Sequence, residues 1–285
     1  MPEMVRANGL DFACDVMGTG PDVALCLHGF PESRFSWRYQ LPVLAGLGWR
    51  AVAPDLRGYA GSSRPQGKAA YHIDHLVDDV VALFDALGAR RRLLVAHDWG
   101  ALIAWVVAMR RAVPLDGMVI MNVPHPQVFA RELAAGWHQR KKSWYAAFFQ
   151  IPGLPEWLLA RNRAEGIGKA FTNMAVNKAM FPPEVTDVYR DNASQPGALT
   201  AMINYYRSNT AIVQETAPAI TVPTCMIWGE EDAALDISLT RGYDGLVADF
   251  TLHTLPGVSH WVQQEAPEAV NALMADWLRA KGLAF

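Results

Sequence analysis

Residues 92–108 read Arg-Leu-Leu-Val-Ala-His-Asp-Trp-Gly-Ala-Leu-Ile-Ala-Trp-Val-Val-Ala, and this stretch decides the fold. Its first part, Arg92 to Asp98, is an apolar run of strand length that ends in two polar residues. From Gly100 onward the residues are apolar on nearly every face of a helix, which predicts that the helix is buried. A buried strand that turns directly into a buried helix is typical of α/β proteins with a parallel sheet.

The same alternation of strands and helices continues on both sides of this stretch. Five more apolar runs predict buried strands, which cover residues 23–29, 50–55, 117–122, 224–229 and 249–255. Apolar residues at helical spacing predict one helix from Ile73 to Leu87 and a closing helix from Pro267 to Leu278. The sequence therefore predicts an α/β fold with a mostly parallel sheet that helices cover on both faces.

A long segment of different composition interrupts this alternation. Between about residues 124 and 217 the chain is rich in aromatic residues, prolines and helical stretches, and it contains few strand-like runs. We predict that residues 125–217 form a helical cap, or lid, over one end of the sheet. Residues 1–124 and 218–285 then form the core domain.

Composition and charge exclude several classes of protein. The 285 residues are 51% hydrophobic and 19% charged, so the chain can bury a large core and is not disordered. A net charge of −3 and the lack of a long run of like charges argue against partners that are nucleic acids or anionic lipids. The chain starts without a signal-peptide pattern and contains no apolar stretch of membrane-spanning length.

The cysteines indicate the compartment. Cys14, Cys26 and Cys225 lie far apart, and an odd number of cysteines without a Cys-x-x-Cys motif argues against structural zinc and a disulfide framework. We expect a cytoplasmic protein with no stable membrane insertion. A homodimer stays open.

Asp98 lies at the turn between the predicted strand and the predicted helix. Small residues stand two positions before it, at Ala96, and two positions after it, at Gly100. This spacing is that of a nucleophile elbow, in which small neighbours let the backbone turn sharply and expose one side chain. Asp replaces the usual Ser here. The alternative is that Asp98 only caps the following helix, and the strand-turn-helix context favours a nucleophile.

The other parts of a catalytic triad follow in the order nucleophile, acid, histidine. Asp232 comes directly after the strand predicted at 224–229, and His260 comes just after the last predicted strand. Glu230 and Glu231 are alternatives to Asp232 as the acid, and a packed loop histidine is the alternative for His260.

The segment His28-Gly29-Phe30-Pro31 ends a strand that we expect beside the elbow. The backbone N–H groups of Phe30 and Trp99 would then form an oxyanion hole. A simple glycine-proline turn explains Gly29 and Pro31 but not their pairing with the elbow. We also expect His28, Pro31 and Trp99 to contact the substrate.

Five motifs resemble the α/β-hydrolase-fold epoxide hydrolases, and the chain is similar to the hydrolase domain of the soluble epoxide hydrolases. They are His28-Gly-Phe-Pro31, Asp55-Leu-Arg-Gly-Tyr-Ala-Gly-Ser-Ser63, His97-Asp-Trp-Gly100, Asn122-Val-Pro-His-Pro126 and Gly257-Val-Ser-His-Trp261. The resemblance implies an eight-stranded, mostly parallel sheet with an inserted helical cap. It also supports Asp232 over its glutamate neighbours.

The resemblance further implies two cap tyrosines that point at the nucleophile. Asn204-Tyr-Tyr-Arg207 resembles the motif that holds one, which assigns Tyr206, with Tyr205 as the alternative. The segment from Tyr145 to Gly153 resembles the part that holds the other, which assigns Tyr145. In this aromatic segment we expect the neighbouring Phe148 and Phe149 to contact substrate; ordinary packing is the alternative for all of these rings.

An Asp nucleophile indicates the chemistry. The Asp98 carboxylate is an anion at neutral pH and can attack a saturated carbon without a base. The resemblance implies that the two tyrosines protonate the oxygen of an opening epoxide, and that His260, oriented by Asp232, activates water to hydrolyse the resulting ester. The product is a vicinal diol, the substrate a small apolar epoxide, and no metal or organic cofactor is expected.

Two other functions compete with this interpretation. Haloalkane and haloacid dehalogenases also use an Asp nucleophile, but position 30 is Phe rather than a halide-binding Asn, and Trp99 stands where fluoroacetate dehalogenases carry Arg. The tryptophans Trp137, Trp144 and Trp157 are the only halide-binding candidates in the predicted cap. A non-catalytic ligand-binding protein is the remote alternative, and the loss of a catalytic part would favour it.

Overall fold

The computed structural model describes residues 2–212 and 215–284, and its centre is one eight-stranded sheet. The strands are β1 Glu3–Ala7, β2 Leu10–Met17, β3 Asp22–Leu27, β4 Arg50–Pro54, β5 Arg91–His97, β6 Gly117–Met121, β7 Thr224–Gly229 and β8 Phe250–Leu255. They lie in the order β1-β2-β4-β3-β5-β6-β7-β8. The six strands from β4 to β8 in this order pair in parallel, which confirms the predicted mostly parallel sheet.

Strands β1 and β2 form an antiparallel edge that the sequence pattern does not predict. β1 pairs with β2, and β2 pairs with β4, both in antiparallel register. Met4 and Met17 of these strands are exposed, and charged residues interrupt their apolar positions. Because only part of each strand is buried, neither reads as an apolar run.

Eleven helices are present in the described part of the chain. They are α1 Leu41–Gly46, α2 Ile73–Ala86, α3 Trp99–Arg110, α4 Pro126–Ala135, α5 Trp137–Lys142, α6 Trp144–Phe148, α7 Leu154–Met174, α8 Pro183–Ala193, α9 Ala198–Ser208, α10 Val262–Glu265 and α11 Pro267–Ala280. Short 3-10 helices cover Arg34–Trp37, Lys68–Tyr71, Lys178–Met180 and Ile237–Thr240. None of the described helices is long and apolar enough to cross a membrane.

The sheet is covered on both faces, and β5 shows how its sequence meets both. Leu94 and Ala96 pack into one apolar cluster, which includes side chains of α2 and α3. Leu93 and Val95 pack into a second cluster on the other face, which includes side chains of α1 and α11. Since alternate residues of a strand point to opposite faces, a strand covered twice is apolar throughout.

Helices α4 to α9 lie between β6 and β7, and we call residues 126–208 the helical insertion. Its longest helix, α7, is broken at Arg161, after which Asn162, Arg163 and Ala164 have positive φ angles. The carboxyl ends of β3, β5 and β7 lie at one edge of the sheet because these strands are parallel. Side chains that follow these strands are therefore brought together, and this is the edge at which open α/β sheets bind ligands.

Candidate active site

Asp98 stands in a strained turn between β5 and α3. Its backbone angles are φ 49° and ψ −125°, a region that costs a non-glycine residue about 1–3 kcal/mol. Two glycines make room for this turn: a Cβ on Gly29 would collide with the Asp98 carboxylate, and one on Gly100 would collide with the Leu27 carbonyl. Of the two small residues that predict the elbow, Gly100 is thus required by the close approach of the Leu27 backbone.

His260 and Asp232 complete a chain of polar contacts that begins at Asp98. The His260 Nδ1 lies 2.6 Å from an Asp232 carboxylate oxygen, and its Nε2 lies 3.5 Å from Asp98 Oδ2. Asp232 also accepts hydrogen bonds from the side chain of Asn122 at 2.8 Å and from the amides of Ala234 and Leu235. The rival carboxylates Glu230 and Glu231 are exposed and make no such contact with His260 in the described structure.

Electrostatics favour charge on all three members. Burial disfavours the imidazolium of His260, but the Asp232 and Asp98 carboxylates outweigh it and raise the pKa of His260 to about 10. Burial likewise opposes ionisation of Asp98 and Asp232, and the contact with His260 holds the pKa of each carboxyl below its usual range. The free site therefore carries an imidazolium between two carboxylates at neutral pH.

One of the two expected oxyanion donors contacts Asp98 directly. The Phe30 amide donates to Asp98 Oδ1 at 2.6 Å, so it already lies against the oxygen that would carry negative charge in a tetrahedral intermediate. The Trp99 amide belongs to the first turn of α3, where helices leave N–H groups unpaired. No hydrogen bond from that amide to Asp98 is present among the described residues.

Tyr145 of α6 and Tyr206 of α9 line the same cavity as Asp98. Their rings meet edge to face at 5.9 Å, and Tyr206 stands perpendicular to Trp99 at 5.0 Å. Burial, then the charge of Asp98, raises the pKa of both phenols, so both stay protonated well into the alkaline range. Neither hydroxyl donates to an acceptor within residues 2–212 and 215–284, which leaves both available to a ligand. The alternative Tyr205 instead donates to the Arg57 carbonyl at 2.8 Å.

The cavity itself has a volume of about 370 Å³ and is mainly apolar. Asp98 and the two tyrosines supply its reactive groups. Most apolar side chains of its wall come from α3, the turn after β6, α4 and the loop before the 3-10 helix Ile237–Thr240: Leu102, Val123, Pro124, Pro126, Phe129, Leu133 and Leu235. A site of this size and lining accommodates a small apolar molecule with one polar reacting group.

Comparison with known proteins shows to which family the chain belongs. A model described as "alpha/beta hydrolase fold" matches residues 23–267. The AB hydrolase superfamily protein YfhM of Bacillus subtilis is 35% identical over 97% of each chain. Epoxide hydrolase 3 of Xenopus tropicalis is 37% identical over 90% of this chain and 71% of its own. The crystal structure of an inhibitor-bound Bacillus megaterium epoxide hydrolase superposes with a TM-score of 0.90 at 30% identity, over 97% of this chain and 100% of that one.

The chain belongs to the α/β-hydrolase-fold epoxide hydrolases. The resemblance inferred from its motifs is thereby confirmed, and so is the fold class.

Four of the five residues predicted to contact the substrate do not line the cavity. His28 is fully buried, and its ring nitrogens contact the Gly29 carbonyl and the Leu56 amide. Pro31 is buried behind Phe30. Neither residue lines the cavity, because the chain turns away from it after β3. Trp99 lines the cavity as predicted.

Phe148 and Phe149 also do not line the cavity. Phe149 packs edge to face against Tyr206 at 4.9 Å and against Phe30 at 5.3 Å, so it supports a tyrosine from behind. Phe148 lies on Phe149 and on Trp144. A sequence shows which rings a segment carries but not which side of a short helix faces the ligand, and here α6 turns Ala146 and Ala147 inward.

A buried Glu32–His97 pair underlies the site, and the sequence pattern does not predict it. His97 Nδ1 lies 2.8 Å from the Glu32 carboxylate, and its Nε2 lies 2.9 Å from the His260 carbonyl. The other donors to Glu32 are the Gly29 amide and the side chains of Gln263 and Gln264. Burial opposes its charge, but the neighbouring His97 holds the pKa of Glu32 below its usual range. The pair thus joins the strand end before Phe30, the elbow and the histidine loop.

Proposed function

We propose that this protein hydrolyses an epoxide to a vicinal diol through an ester formed on Asp98. The observation that carries the proposal is that one carboxylate, Asp98, lines an apolar cavity together with the two tyrosines and is also in contact with the His260–Asp232 pair. Relatives and solved neighbours named epoxide hydrolases support the same reaction.

In the first step, the Asp98 carboxylate attacks a ring carbon of the epoxide, the C–O bond of the ring breaks, and an alkyl ester forms. The ring oxygen leaves as an alkoxide unless it is protonated. Tyr145 and Tyr206 face the cavity with hydroxyls that have no other acceptor in the described structure, so they donate to this oxygen and deliver its proton. Such a positioned acid accelerates the step by about 10²–10⁴-fold.

In the second step, His260 must be neutral to take a proton from water, although its pKa in the free site is raised to about 10. Ester formation resolves this conflict. Once Asp98 is alkylated, it carries no charge, and only Asp232 still favours the imidazolium. The pKa of His260 falls, its proton passes through solvent to the phenolate left by ring opening, and the neutral imidazole takes a proton from the attacking water. The Phe30 amide stabilises the oxyanion that forms as the hydroxide adds to the ester carbon. The intermediate then collapses: the ester C–O bond breaks, the imidazolium protonates the leaving diol oxygen, and the Asp98 carboxyl returns its proton to His260.

The alternative of a dehalogenase lacks support, because its candidate halide-binding tryptophans do not line the cavity. Trp137, Trp144 and Trp157 are 73%, 65% and 60% exposed and do not line the cavity, so none can pair with Trp99 around a halide. Position 30 carries Phe, which has no amide side chain for the same purpose. The alternative of a non-catalytic ligand-binding protein has no support either, because Asp98, His260 and Asp232 are all present and in contact.

The proposal also includes the division into cap and core and the cellular compartment. Residues 125–217 act as the cap and residues 1–124 and 218–285 as the core, supported by the tyrosines that the helical insertion contributes to the cavity. The protein works in the cytoplasm as a catalyst without metal or organic cofactor. Its three buried, unpaired cysteines support a reducing compartment.

A substrate panel tests the activity. Styrene oxide, a terminal alkyl epoxide, a fatty-acid epoxide and a haloalkane are each incubated with the protein, and diol and halide are measured. We expect diol from at least one epoxide and little halide. Faster halide release than diol formation would make the protein a dehalogenase.

Labelled water tests the mechanism separately. With enzyme in excess and one turnover in ¹⁸O-water, the first diol should be mostly unlabelled, because its new oxygen comes from Asp98. Fully labelled diol in that turnover would mean that water attacks the epoxide directly and that Asp98 acts as a base.

A further inference from the structure

The helical insertion exposes six large apolar side chains between residues 137 and 158. We define the outer patch as Trp137, Trp144, Ile151, Leu154, Trp157 and Leu158, whose exposed fractions range from 39% to 73%. Contiguous apolar surface of this kind marks an interaction site. Three of the six residues are tryptophans, the residue type that collects at boundaries between apolar and aqueous surroundings.

The outer patch adjoins the mouth of the cavity. Ala147 of α6 and Gln150, two residues after that helix, line the cavity and are also exposed, so the cavity opens to solvent there. Trp144 is on the same helix, and Ile151 follows Gln150 directly. A partner that covers the outer patch would therefore lie next to the entrance that an apolar substrate must use.

The net charge of the whole chain argues against anionic lipids as partners, but the charge of this segment is opposite to that of the chain. Residues 137–163 contain five lysines and arginines and one acidic residue, a net charge of +4, which leaves −7 on the rest of the chain. Arg140, Lys141 and Arg161 have no carboxylate partner in the part of the chain that the structure describes. Two of these cations lie over exposed indoles, Arg140 at 5.8 Å from Trp137 and Arg161 at 5.1 Å from Trp157.

We propose that the outer patch docks on the surface of an anionic phospholipid bilayer, with its indoles at the headgroup boundary. Basic residues interleaved with exposed aromatic and aliphatic side chains are the composition that binds this boundary. A second copy of the chain fits less well, because a symmetric contact would bring the same cations face to face. Docking is peripheral and involves no spanning helix, and it turns the cavity mouth toward the phase in which apolar epoxides dissolve.

Vesicle flotation of the intact protein, without substrate, tests this proposal independently of any catalytic activity. We expect binding to vesicles of phosphatidylcholine mixed with phosphatidylglycerol at low salt, little binding to phosphatidylcholine alone, and release at high salt. Trp137→Ser/Trp157→Ser should weaken binding about tenfold or more. Arg140→Gln/Lys141→Gln should weaken it about fivefold per charge removed.

Matched controls lie on the opposite edge of the sheet and on the last helix. Met4→Ser/Met17→Ser removes comparably exposed apolar side chains, and Arg6→Gln/Arg279→Gln removes exposed cations; both should bind as the wild type does. Circular dichroism confirms that each variant is folded. The proposal is overturned if the wild type does not bind anionic vesicles, if the controls weaken binding as much as the outer-patch variants do, or if sedimentation shows instead a dimer that the outer-patch variants dissociate.

Discussion

The two sides of the cavity position their reactive groups by different interactions. On the sheet side, hydrogen bonds of 2.6 Å join His260 to Asp232 and Phe30 to Asp98, and the Glu32–His97 pair connects the loops beneath. On the insertion side, Tyr206 is held by edge-to-face contacts with Phe149 at 4.9 Å and Trp99 at 5.0 Å, and its hydroxyl donates to no acceptor in the described structure.

In the proposed mechanism, this difference separates two steps. Hydrogen bonds hold ionised groups at fixed positions, and ester hydrolysis requires this of its base and its oxyanion donor. Ring packing holds a phenol in place while its hydroxyl can still donate to a ligand, and ring opening requires this of an acid. Apart from Asp98, which acts in both steps, changes on the sheet side should therefore slow ester hydrolysis, and changes on the insertion side should slow ring opening.

The largest expected effect comes from His260→Gln. Ring opening needs no base, so the variant should react once and then stall with the opened epoxide bound to Asp98, and turnover should fall by up to about 10⁴-fold. Intact-protein mass spectrometry should show a gain of one substrate mass, and peptide mapping should locate it at Asp98. Asp232→Asn should slow the same step less completely. Turnover at the wild-type rate, or an adduct elsewhere, would remove His260 from the proposed role.

The converse change is Tyr206→Phe. It should slow the single-turnover ring-opening rate by about 10- to 10⁴-fold, with no stalled ester, because the missing hydroxyl acts before the ester exists. Tyr145→Phe should act in the same direction. The double variant should be slower than either single one but not additively, since both phenols serve one oxygen. Full activity of a folded double variant would exclude both.

Glu32→Gln tests whether the sheet side depends on its buried pair. Removing one charge from a fully buried pair costs about 3–5 kcal/mol, so unfolding should shift to lower denaturant or temperature by that amount. The matched control is Glu230→Gln, at an exposed position two residues before the triad acid, which should stay within about 0.5 kcal/mol of wild type. Equal stability of both variants would show that Glu32 does not stabilise the fold through its charge.

Arg207→Gln probes the insertion side. Arg207 follows Tyr206 and donates to the Phe149 and Ile151 carbonyls at 2.8 Å and to Glu156, so it ties α9 to the segment after α6. We expect ring opening to slow by about tenfold, as the two phenols lose their mutual position, and ester hydrolysis to be unchanged. Arg163→Gln breaks an exposed pair in the same insertion and serves as the control. A slower hydrolysis step in Arg207→Gln would contradict the division between the two sides.

The smallest effect is the pH dependence of each step. Asp98 has a lowered pKa and both tyrosines have raised ones, so ring opening should be nearly constant between about pH 6 and 9. Ester hydrolysis should instead rise with pH, because His260 must be neutral to take a proton from water. In the ester, Asp232 still favours the protonated form, as Asp232 and Asp98 together do in the free site, where they outweigh burial and raise the pKa of His260 to about 10. Rapid-quench measurements separate the two rates. A ring-opening rate that falls with a midpoint near neutrality would mean that this step needs a base.

Local patterns predict the sheet side better than the insertion side. β5, the elbow at Asp98 and the position of His260 follow from short apolar runs and their polar ends, while the family resemblance selects Asp232 over Glu230 and Glu231. The structure brings Asp98, His260 and Asp232 together. In contrast, the substrate contacts expected at His28 and Phe148 lie outside the cavity wall. Which residues form that wall depends on how α4, α6 and α9 pack on the sheet, and no short stretch of sequence encodes that packing.

The Glu32–His97 pair is hidden from sequence for a related reason. The two residues are 65 positions apart, and each is individually explained by its neighbours, Glu32 by a turn after β3 and His97 by the end of β5. Only the parallel pairing of β3 with β5 puts them in contact. Strands β1 and β2 likewise become recognisable only through their partners.

Asn122 connects the two places where the helical insertion leaves and rejoins the sheet. Placed at the end of β6, just before the helical insertion leaves the sheet, it binds the Gly229 amide at 2.8 Å and the Asp232 carboxylate at 2.8 Å, just after the chain has returned through β7. One side chain thus links the points at which the helical insertion leaves and rejoins the sheet. Because this link lies outside the insertion, we expect Asp98, His260 and Asp232 to keep their positions when the insertion of a relative is transplanted. Such a transplant should change substrate selectivity while the proposed ester hydrolysis is retained.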